Sequence, residues 1–338
     1  MKSKNVVFTQ PNTTELLSED VKPLGKKDIL VKLLFSTIST GTEKANLIGE
    51  VNTSVYSNRT VAHFPRRVGY SSSGIIVEVG SKVTDLHPGD RVALSWSKHA
   101  EYCVVPAQNV YKLNDGISFE EGAMWHISTF PMAAIRKCRL EIGESAIVMG
   151  IGILGMMAIK LLKAAGACPI IAVDHDETKL KIAKRIGADY VFNPFEEGFA
   201  EKVKNITNGG ANVAIEVTGN GKALDSLLDC MAQFGRVALL GCTRSSDFTI
   251  DYYHKVHGPG ISLIGAHTMA RPKYESSPSM WTTRDDVLAV QKLVSLGRLS
   301  FADLVQETHS INNYKEVFNR LATEKGFPII QLDWRDLK

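Results

Sequence analysis

Apolar and polar positions follow two different rhythms along this chain of 338 residues. Up to about residue 115 the apolar runs are short. Residues 6–8, 29–35, 74–79, 91–94 and 101–105 are apolar or alternating stretches split by turn residues, and each predicts a strand. His87-Pro88-Gly89-Asp90 marks a turn just before the fourth of them. So dense a series of short strands predicts a compact, partly barrel-like β module rather than βαβ repeats. From residue 119 the rhythm lengthens. Residues 119–138 predict one long helix, with Pro131 kinking it or starting its second half. Apolar runs at 146–149, 170–173, 213–217, 235–241 and 261–265 then alternate with helical stretches, which predicts a doubly wound, parallel six-stranded sheet. Residues 267–283 read as a long loop rich in serine, proline and aromatics, placed to line a substrate cleft. An amphipathic helix at 285–296, stopped by Gly297, and a last strand within 327–334 return the chain to the first module.

The stretch 145–174 carries the strongest chemical signal. An apolar strand leads into Gly150, Gly152 and Gly155 in the spacing G-x-G-x-x-G, then a helix beginning near Ile153 and Leu154, then a second apolar strand ending on Asp174. Gly150 permits the tight strand-to-helix turn, Gly152 lets the backbone approach a pyrophosphate, and Gly155 lets the helix sit close to the strand. Helix N–H groups and the positive end of the helix dipole then face the phosphates. Asp174 lies where a carboxylate accepts hydrogen bonds from a ribose diol, which selects NAD over a cofactor with a 2′-phosphate. The unit therefore predicts a dinucleotide site.

Composition narrows the class without adding chemistry. Hydrophobic content of 44% and charged content of 22% are ordinary for a globular chain, and a formal charge of +3 is too small and dispersed to predict nucleic-acid binding. No window approaches the ~20 apolar residues of a membrane helix, and the N-terminal segment lacks an apolar signal core, so no membrane partner and a cytoplasmic location are expected. The five cysteines, at 103, 138, 168, 230 and 242, are scattered, form no C-x-x-C and predict reduced, mostly buried thiols.

Three further stretches carry a family resemblance. Gly69-Tyr70-Ser71-Ser72-Ser73-Gly74 running on to Gly80, Pro88-Gly89-Asp90-Arg91-Val92, and His99-Ala100-Glu101-Tyr102, together with the glycine unit, resemble the medium-chain dehydrogenase/reductase superfamily over nearly the whole chain. The resemblance implies a GroES-like catalytic domain at 1–117 and 270–338 around a Rossmann dinucleotide-binding domain at 118–269. It implies Lys179 on the ribose, and Thr218, Leu240 and Ile264 near the nicotinamide. It also implies a homodimer or homotetramer paired through the edge strand at 261–265.

The departures from the family pattern bear on mechanism. Zinc members carry Cys-Gly-Thr-Asp-like and Gly-His-Glu motifs; here these read Thr40-Gly41-Thr42-Glu43 and Gly69-Tyr70-Ser71. A further ligand position matches His126, and the separate four-cysteine lobe is missing. Threonine, tyrosine and one imidazole make a poor Zn²⁺ site, so no metal is expected. The pattern resembles a zinc-less branch that includes bacteriochlorophyllide dehydrogenase-like proteins. A reduced carbonyl develops negative charge on oxygen and needs a donor. Thr42 and Tyr70 are the candidate hydroxyl donors, His126 a candidate acid–base group, and Trp96 a candidate substrate-pocket aromatic. Arg66-Arg67 reads as a solvated pair rather than an anion clamp.

The resulting expectation is an NAD(H)-dependent oxidoreductase without catalytic zinc. It would interconvert a secondary alcohol and a ketone on a sugar, cyclitol or other polyhydroxylated small molecule. A zinc-free enoyl or quinone reductase, and a non-catalytic NAD(H)-binding protein, are the alternatives.

Overall fold

The computed structural model describes residues 1–53, 60–243 and 246–337. The chain divides into two units, Met1–Ile127 with Val287–Lys338, and Ser128–Asp286. In the first unit the organising element is the strand Asp28–Thr37. Along one edge it pairs antiparallel with Ser71–Val79. Its other edge is shared, end to end, by Tyr102–Pro106 and Ile330–Asp333. The sheet runs in the order Glu307–Ser310, Ile330–Asp333, Asp28–Thr37, Ser71–Val79, Arg91–Ser95, Val110–Lys112. A smaller sheet of Thr13–Asp20, Lys2–Gln10 and Arg66–Arg67 packs with it around a core that includes Phe8, Ile29, Leu33, Leu94, Phe318 and Trp334. This is the β-rich module that the dense short apolar runs predict.

The long helix expected over 119–138 is instead two helices, Phe119–Gly122 and Trp125–Lys137. The break falls at Ala123-Met124, and Pro131 sits inside the second helix. The physical reason is side-chain capture of backbone carbonyls. Ser71 Oγ and Thr37 Oγ1 donate to the Ala123 carbonyl at 2.7 and 2.9 Å. Gln331 Nε2 donates to the Glu120 carbonyl at 2.8 Å, and Ser73 Oγ to the Phe119 carbonyl at 2.5 Å. The bonds to Glu120 and Ala123 occupy carbonyls at the break, whereas the Phe119 carbonyl also keeps its helical bond from the Ala123 N–H at 2.9 Å. The serine bonds also satisfy the buried hydroxyls of Ser71 and Ser73, while Ser72 Oγ donates to Ser97 Oγ at 2.7 Å.

Glu121, in the first of these helices, ties the returning segment down. Its buried carboxylate accepts from the backbone N–H groups of Phe301 and Ala302, both at 2.7 Å, and from Ser300 Oγ at 3.0 Å.

The second unit is a six-stranded parallel sheet in the order Tyr190–Phe192, Ile170–Val173, Ala146–Met149, Ala211–Glu216, Met231–Leu239, Ser262–Gly265. Every residue of the two strands flanking the glycine unit is buried, as a sheet covered on both faces requires. Its core gathers Ile147, Val173, Val203, Leu227 and Val237. Ser262–Gly265 is an edge strand and leaves Leu263 40% exposed. The loop over 267–283 holds no helix or strand before the helix Thr283–Ser295 begins. Arg271 pins it by donating to the Thr129 carbonyl at 2.7 Å and to buried Asp286 at 3.2 Å. Burial pushes the Asp286 carboxyl above its ordinary range, against the pull of Arg271 and Arg136.

Among the described residues no helix is long and apolar enough to cross a membrane. Burial pushes the Cys103 thiol up to about 11 and those of Cys138 and Cys230 up to about 12, so these three stay protonated and unreactive near neutral pH.

Candidate active site

In the second unit the three glycines of the motif meet three different constraints. Gly150 has φ +96°, which few side chains tolerate, and its N–H donates to the Val173 carbonyl at 2.8 Å. At Gly155 an added Cβ would lie 2.0 Å from the Gly150 carbonyl oxygen, so the helix Ile153–Ala165 approaches the turn as only glycine allows. Gly152 differs. It is the exposed N-cap of that helix, its backbone is extended, and a Cβ there would meet nothing within 4 Å. Nothing inside the fold requires glycine at 152. The open space lies over the N-terminus of a helix whose first turn has N–H groups without intrahelical partners, next to Ile153 and Leu154. A phosphate group fits there by charge and by hydrogen-bond geometry.

Asp174 closes the strand Ile170–Val173 and is only 8% exposed. Its carboxylate accepts from the Ile151 N–H at 2.7 Å and the Asp176 N–H at 3.0 Å. It therefore braces the glycine turn itself, a role that spacing alone does not reveal. Lys179 sits half-buried in the first turn of the helix Glu177–Ile186, which Asp176 caps by accepting from the Thr178 and Lys179 N–H groups.

Thr218, Leu240 and Ile264 lie at the carboxyl ends of neighbouring strands. What organises two of them is Glu216, buried within an otherwise apolar run. Its carboxylate accepts from the Thr218 N–H at 2.7 Å, the Gly219 N–H at 3.1 Å and the Thr218 hydroxyl. Its backbone carbonyl accepts from the Leu240 and Gly241 N–H groups at 2.9 and 2.8 Å. Burial raises its carboxyl above the ordinary range, while the hydrogen bonds from Thr218 and Gly219 pull the other way. The Thr218 methyl packs 2.8 Å from where a Gly150 Cβ would stand. Sequence reasoning passes over Glu216; the available signal was a carboxylate inside an apolar strand.

In the first unit, Thr40-Gly41-Thr42-Glu43 is no turn. It opens the helix Thr40–Leu47, with Ser39 as N-cap. Glu43 is 1% exposed and reaches back, accepting from the Ser39 N–H at 2.9 Å through Oε1. Its Oε2 lies 2.9 Å from His99 Nε2, and His99 Nδ1 lies 2.8 Å from Ser36 Oγ, which also accepts from Trp334 Nε1 at 2.9 Å. Gly69, at φ +92°, makes room for the His99 ring, whose Cγ a Cβ would meet at 2.8 Å.

Tyr70 follows, and its phenol hydrogen-bonds to Ser39 Oγ. Its ring clusters with two others, those of His126 and Trp96. Tyr70 and His126 meet edge-on at 5.8 Å, Trp96 and His126 at 4.5 Å, and Tyr70 lies 6.2 Å from Trp96. Trp96 is 40% exposed and takes a positive φ of 59°, its N–H donating to the Tyr70 carbonyl at 2.8 Å. His126 is buried at the start of the helix Trp125–Lys137. The structure thus gathers Tyr70, Trp96 and His126, while Thr42 lies half-buried in the adjoining helix.

Arg66 and Arg67 are not a solvated pair. Arg66 donates to the carbonyls of His63 and Glu50, both at 2.9 Å, and stacks over Phe64, whereas Arg67 is ion-paired with Glu19.

The glycine geometry separates fold from binding. Gly155→Ala is expected to cost about 3 kcal/mol or more, because backbone must move. Gly152→Ala is expected to stay within about 1 kcal/mol of the parent yet to weaken dinucleotide binding about tenfold or more. Urea midpoints and a fluorescence titration check both. A Gly152→Ala protein with parental affinity would contradict the assignment of that open space.

Comparison with known proteins matches this geometry. A family model described as "Alcohol dehydrogenase GroES-like domain" matches residues 25–137, and one described as "Zinc-binding dehydrogenase" matches residues 154–281. The chain is 28% identical to an L-threonine 3-dehydrogenase of Pyrococcus horikoshii, covering 96% of this chain and 97% of that protein. It is 25% identical to a D-guloside 3-dehydrogenase of Escherichia coli, covering 93% and 95%. The solved structure of galactitol-1-phosphate dehydrogenase from Escherichia coli superposes with a TM-score of 0.83 at 21% identity, over 99% of this chain and 100% of that one, which shows a shared fold. With both of its units accounted for, the chain belongs to the zinc-type medium-chain dehydrogenase/reductase superfamily, a family of oxidoreductases.

Proposed function

We propose that this protein is an NAD(H)-dependent oxidoreductase that interconverts a secondary alcohol and a ketone without catalytic zinc, on a sugar, cyclitol or other polyhydroxylated small molecule. The observation that carries the reading is the Ser39–Tyr70–His126–Trp96 cluster. By the resemblance, Tyr70 and His126 match ligand positions of the zinc members, and the cluster offers hydroxyls and rings. Among the described residues no three His, Cys, Asp or Glu side chains gather as a metal site. Thr40, Tyr70 and Ser71 are weak donors for Zn²⁺, so the donor set does not fit the family's metal. The names of the relatives, which carry threonine, a guloside and a galactitol phosphate, favour a hydroxylated small substrate.

The residues of the second unit do fit a nicotinamide dinucleotide. Gly152 and the N-terminus of Ile153–Ala165 would hold the pyrophosphate. Asp174 and Lys179 would hold the adenosine ribose, and Thr218, Leu240 and Ile264 would flank the nicotinamide. The bound cofactor supplies or accepts hydride at the carbinol carbon. In the first unit, Tyr70 meets the substrate oxygen and gives or takes its proton. Trp96 supplies an apolar wall. Thr42 and His126 hold secondary positions for the same proton.

Screening the purified protein with NAD⁺ against polyols, sugars and aminocyclitols tests the reaction class. Turnover of a secondary alcohol is expected. Reduction of enones with no alcohol oxidised would point to the enoyl reductase chemistry instead.

Cofactor choice follows from Asp174. Its carboxylate already accepts from two backbone N–H groups, which fix where its oxygens stand. A 2′-phosphate would meet that charge in a partly dry cleft. Discrimination of about 2–4 kcal/mol, roughly 30- to 1,000-fold for NADH over NADPH, is the expected order. Asp174→Asn keeps the shape, removes the charge and should narrow the gap. Equal affinities in the parent, or an unchanged ratio in the variant, would remove Asp174 as the selector.

A further inference from the structure

Three features of the first unit form one connected device that the sequence motifs do not disclose. The phenol of Tyr70 is bonded to Ser39 Oγ. Ser39 is itself clamped, because its N–H is held at 2.9 Å by the buried Glu43 carboxylate. Glu43 is fixed from behind by His99 at 2.9 Å, His99 by Ser36 Oγ at 2.8 Å, and Ser36 Oγ accepts from Trp334 Nε1 at 2.9 Å. Glu43 and His99 are 1% and 0% exposed, so they act on nothing outside the fold. Through Ser39 they reach the Tyr70 phenol.

We propose that Ser39 is a positioning residue for Tyr70, and that the buried Glu43–His99 pair holds it in place. This rests on the reading above that Tyr70 serves the substrate oxygen. Each hydroxyl rotates about its C–O bond and serves as donor or acceptor, so the shared hydrogen bond reverses at little cost. With Ser39 donating, the phenol O–H can turn towards a carbonyl oxygen. In the reduction direction, a bound reduced nicotinamide would supply the hydride whose electron pair makes the new C–H bond. The carbonyl π pair moves onto oxygen, the Tyr70 O–H bond breaks, and its proton bonds to that oxygen. The phenolate left behind accepts the Ser39 hydroxyl hydrogen bond until water returns a proton. The oxidation direction is the reverse. Ser39 therefore fixes where the phenol oxygen stands and supplies the hydrogen bond that the metal would otherwise make unnecessary.

Two readouts test this, and they fail separately from the functional reading. The first needs no substrate. In protein carrying tyrosine labelled with ¹³C at Cζ, the Tyr70 resonance is the one missing from Tyr70→Phe. It should move in Ser39→Ala and in Glu43→Gln, and return towards its parental position in Ser39→Thr. A Ser39→Ala spectrum that superposes on the parent would overturn the proposal, whatever the protein catalyses. The second uses the alcohol identified by the NAD⁺ screen. Ser39→Ala should lower kcat by about 10- to 100-fold, the scale of a misplaced reacting group, with the KM for the alcohol and the affinity for NADH within about twofold of the parent. Ser39→Thr should recover most of the loss. Loss of activity in Tyr70→Phe with full activity in Ser39→Ala would refute the role of Ser39 and leave Tyr70 standing. Full activity in Tyr70→Phe would instead refute the reading on which the proposal rests.

Discussion

A carboxylate removed from water must find donors, and among the described residues four buried carboxylates find them in backbone N–H groups at the ends of elements. Glu43 takes the N–H of Ser39, Glu121 those of Phe301 and Ala302, Asp174 those of Ile151 and Asp176, and Glu216 those of Thr218 and Gly219. Hydrogen bonds to an ionised group are worth roughly 1.5–3 kcal/mol, and losing the acceptor would strand buried donors. The constraint therefore acts on loops. Three of the four carboxylates fix segments that carry candidate site residues: the N-cap before Thr42, the glycine turn, and the strand end at Thr218. The fourth fastens the returning chain to the first unit. Regular sheets supply the rigid ends, and these acids decide how the chain leaves them.

The strand ladder of the second unit was legible because a parallel sheet buried on both faces leaves near-continuous apolar runs, such as Ile147-Val148-Met149 and Ile170-Ile171-Ala172-Val173. The glycine motif was legible for a related reason. Gly150 and Gly155 answer to local backbone geometry, which spacing encodes. What spacing could not show was any pairing between distant polar residues. Glu43 and His99 stand 56 positions apart and meet only once two strands and a helix are in place. Nor could it show that Ser71 and Thr37 would take the Ala123 carbonyl and split the helix there, since helix periodicity runs unbroken through that point. Asp174 was legible as an acid of the right spacing, but its bond to the turn it follows was not.

Zinc members of the family carry ligands at positions that here read Thr40, Tyr70 and Ser71, with His126 the one imidazole retained. Thr40 opens a helix, Tyr70 bonds to Ser39, Ser71 binds a backbone carbonyl, and His126 is enclosed by two aromatic rings. Each of these residues has a structural occupation that a tetrahedral ion would have to displace. On the proposed reading, the site works by hydrogen bonding from hydroxyls beside an apolar wall, which would stabilise an alkoxide when water is excluded. The most direct measurement is elemental analysis of the purified protein while it oxidises its alcohol with NAD⁺, before and after exhaustive chelation. The account predicts far less than one zinc per chain and turnover that chelation leaves intact. Stoichiometric zinc whose removal abolishes activity and whose return restores it would contradict it.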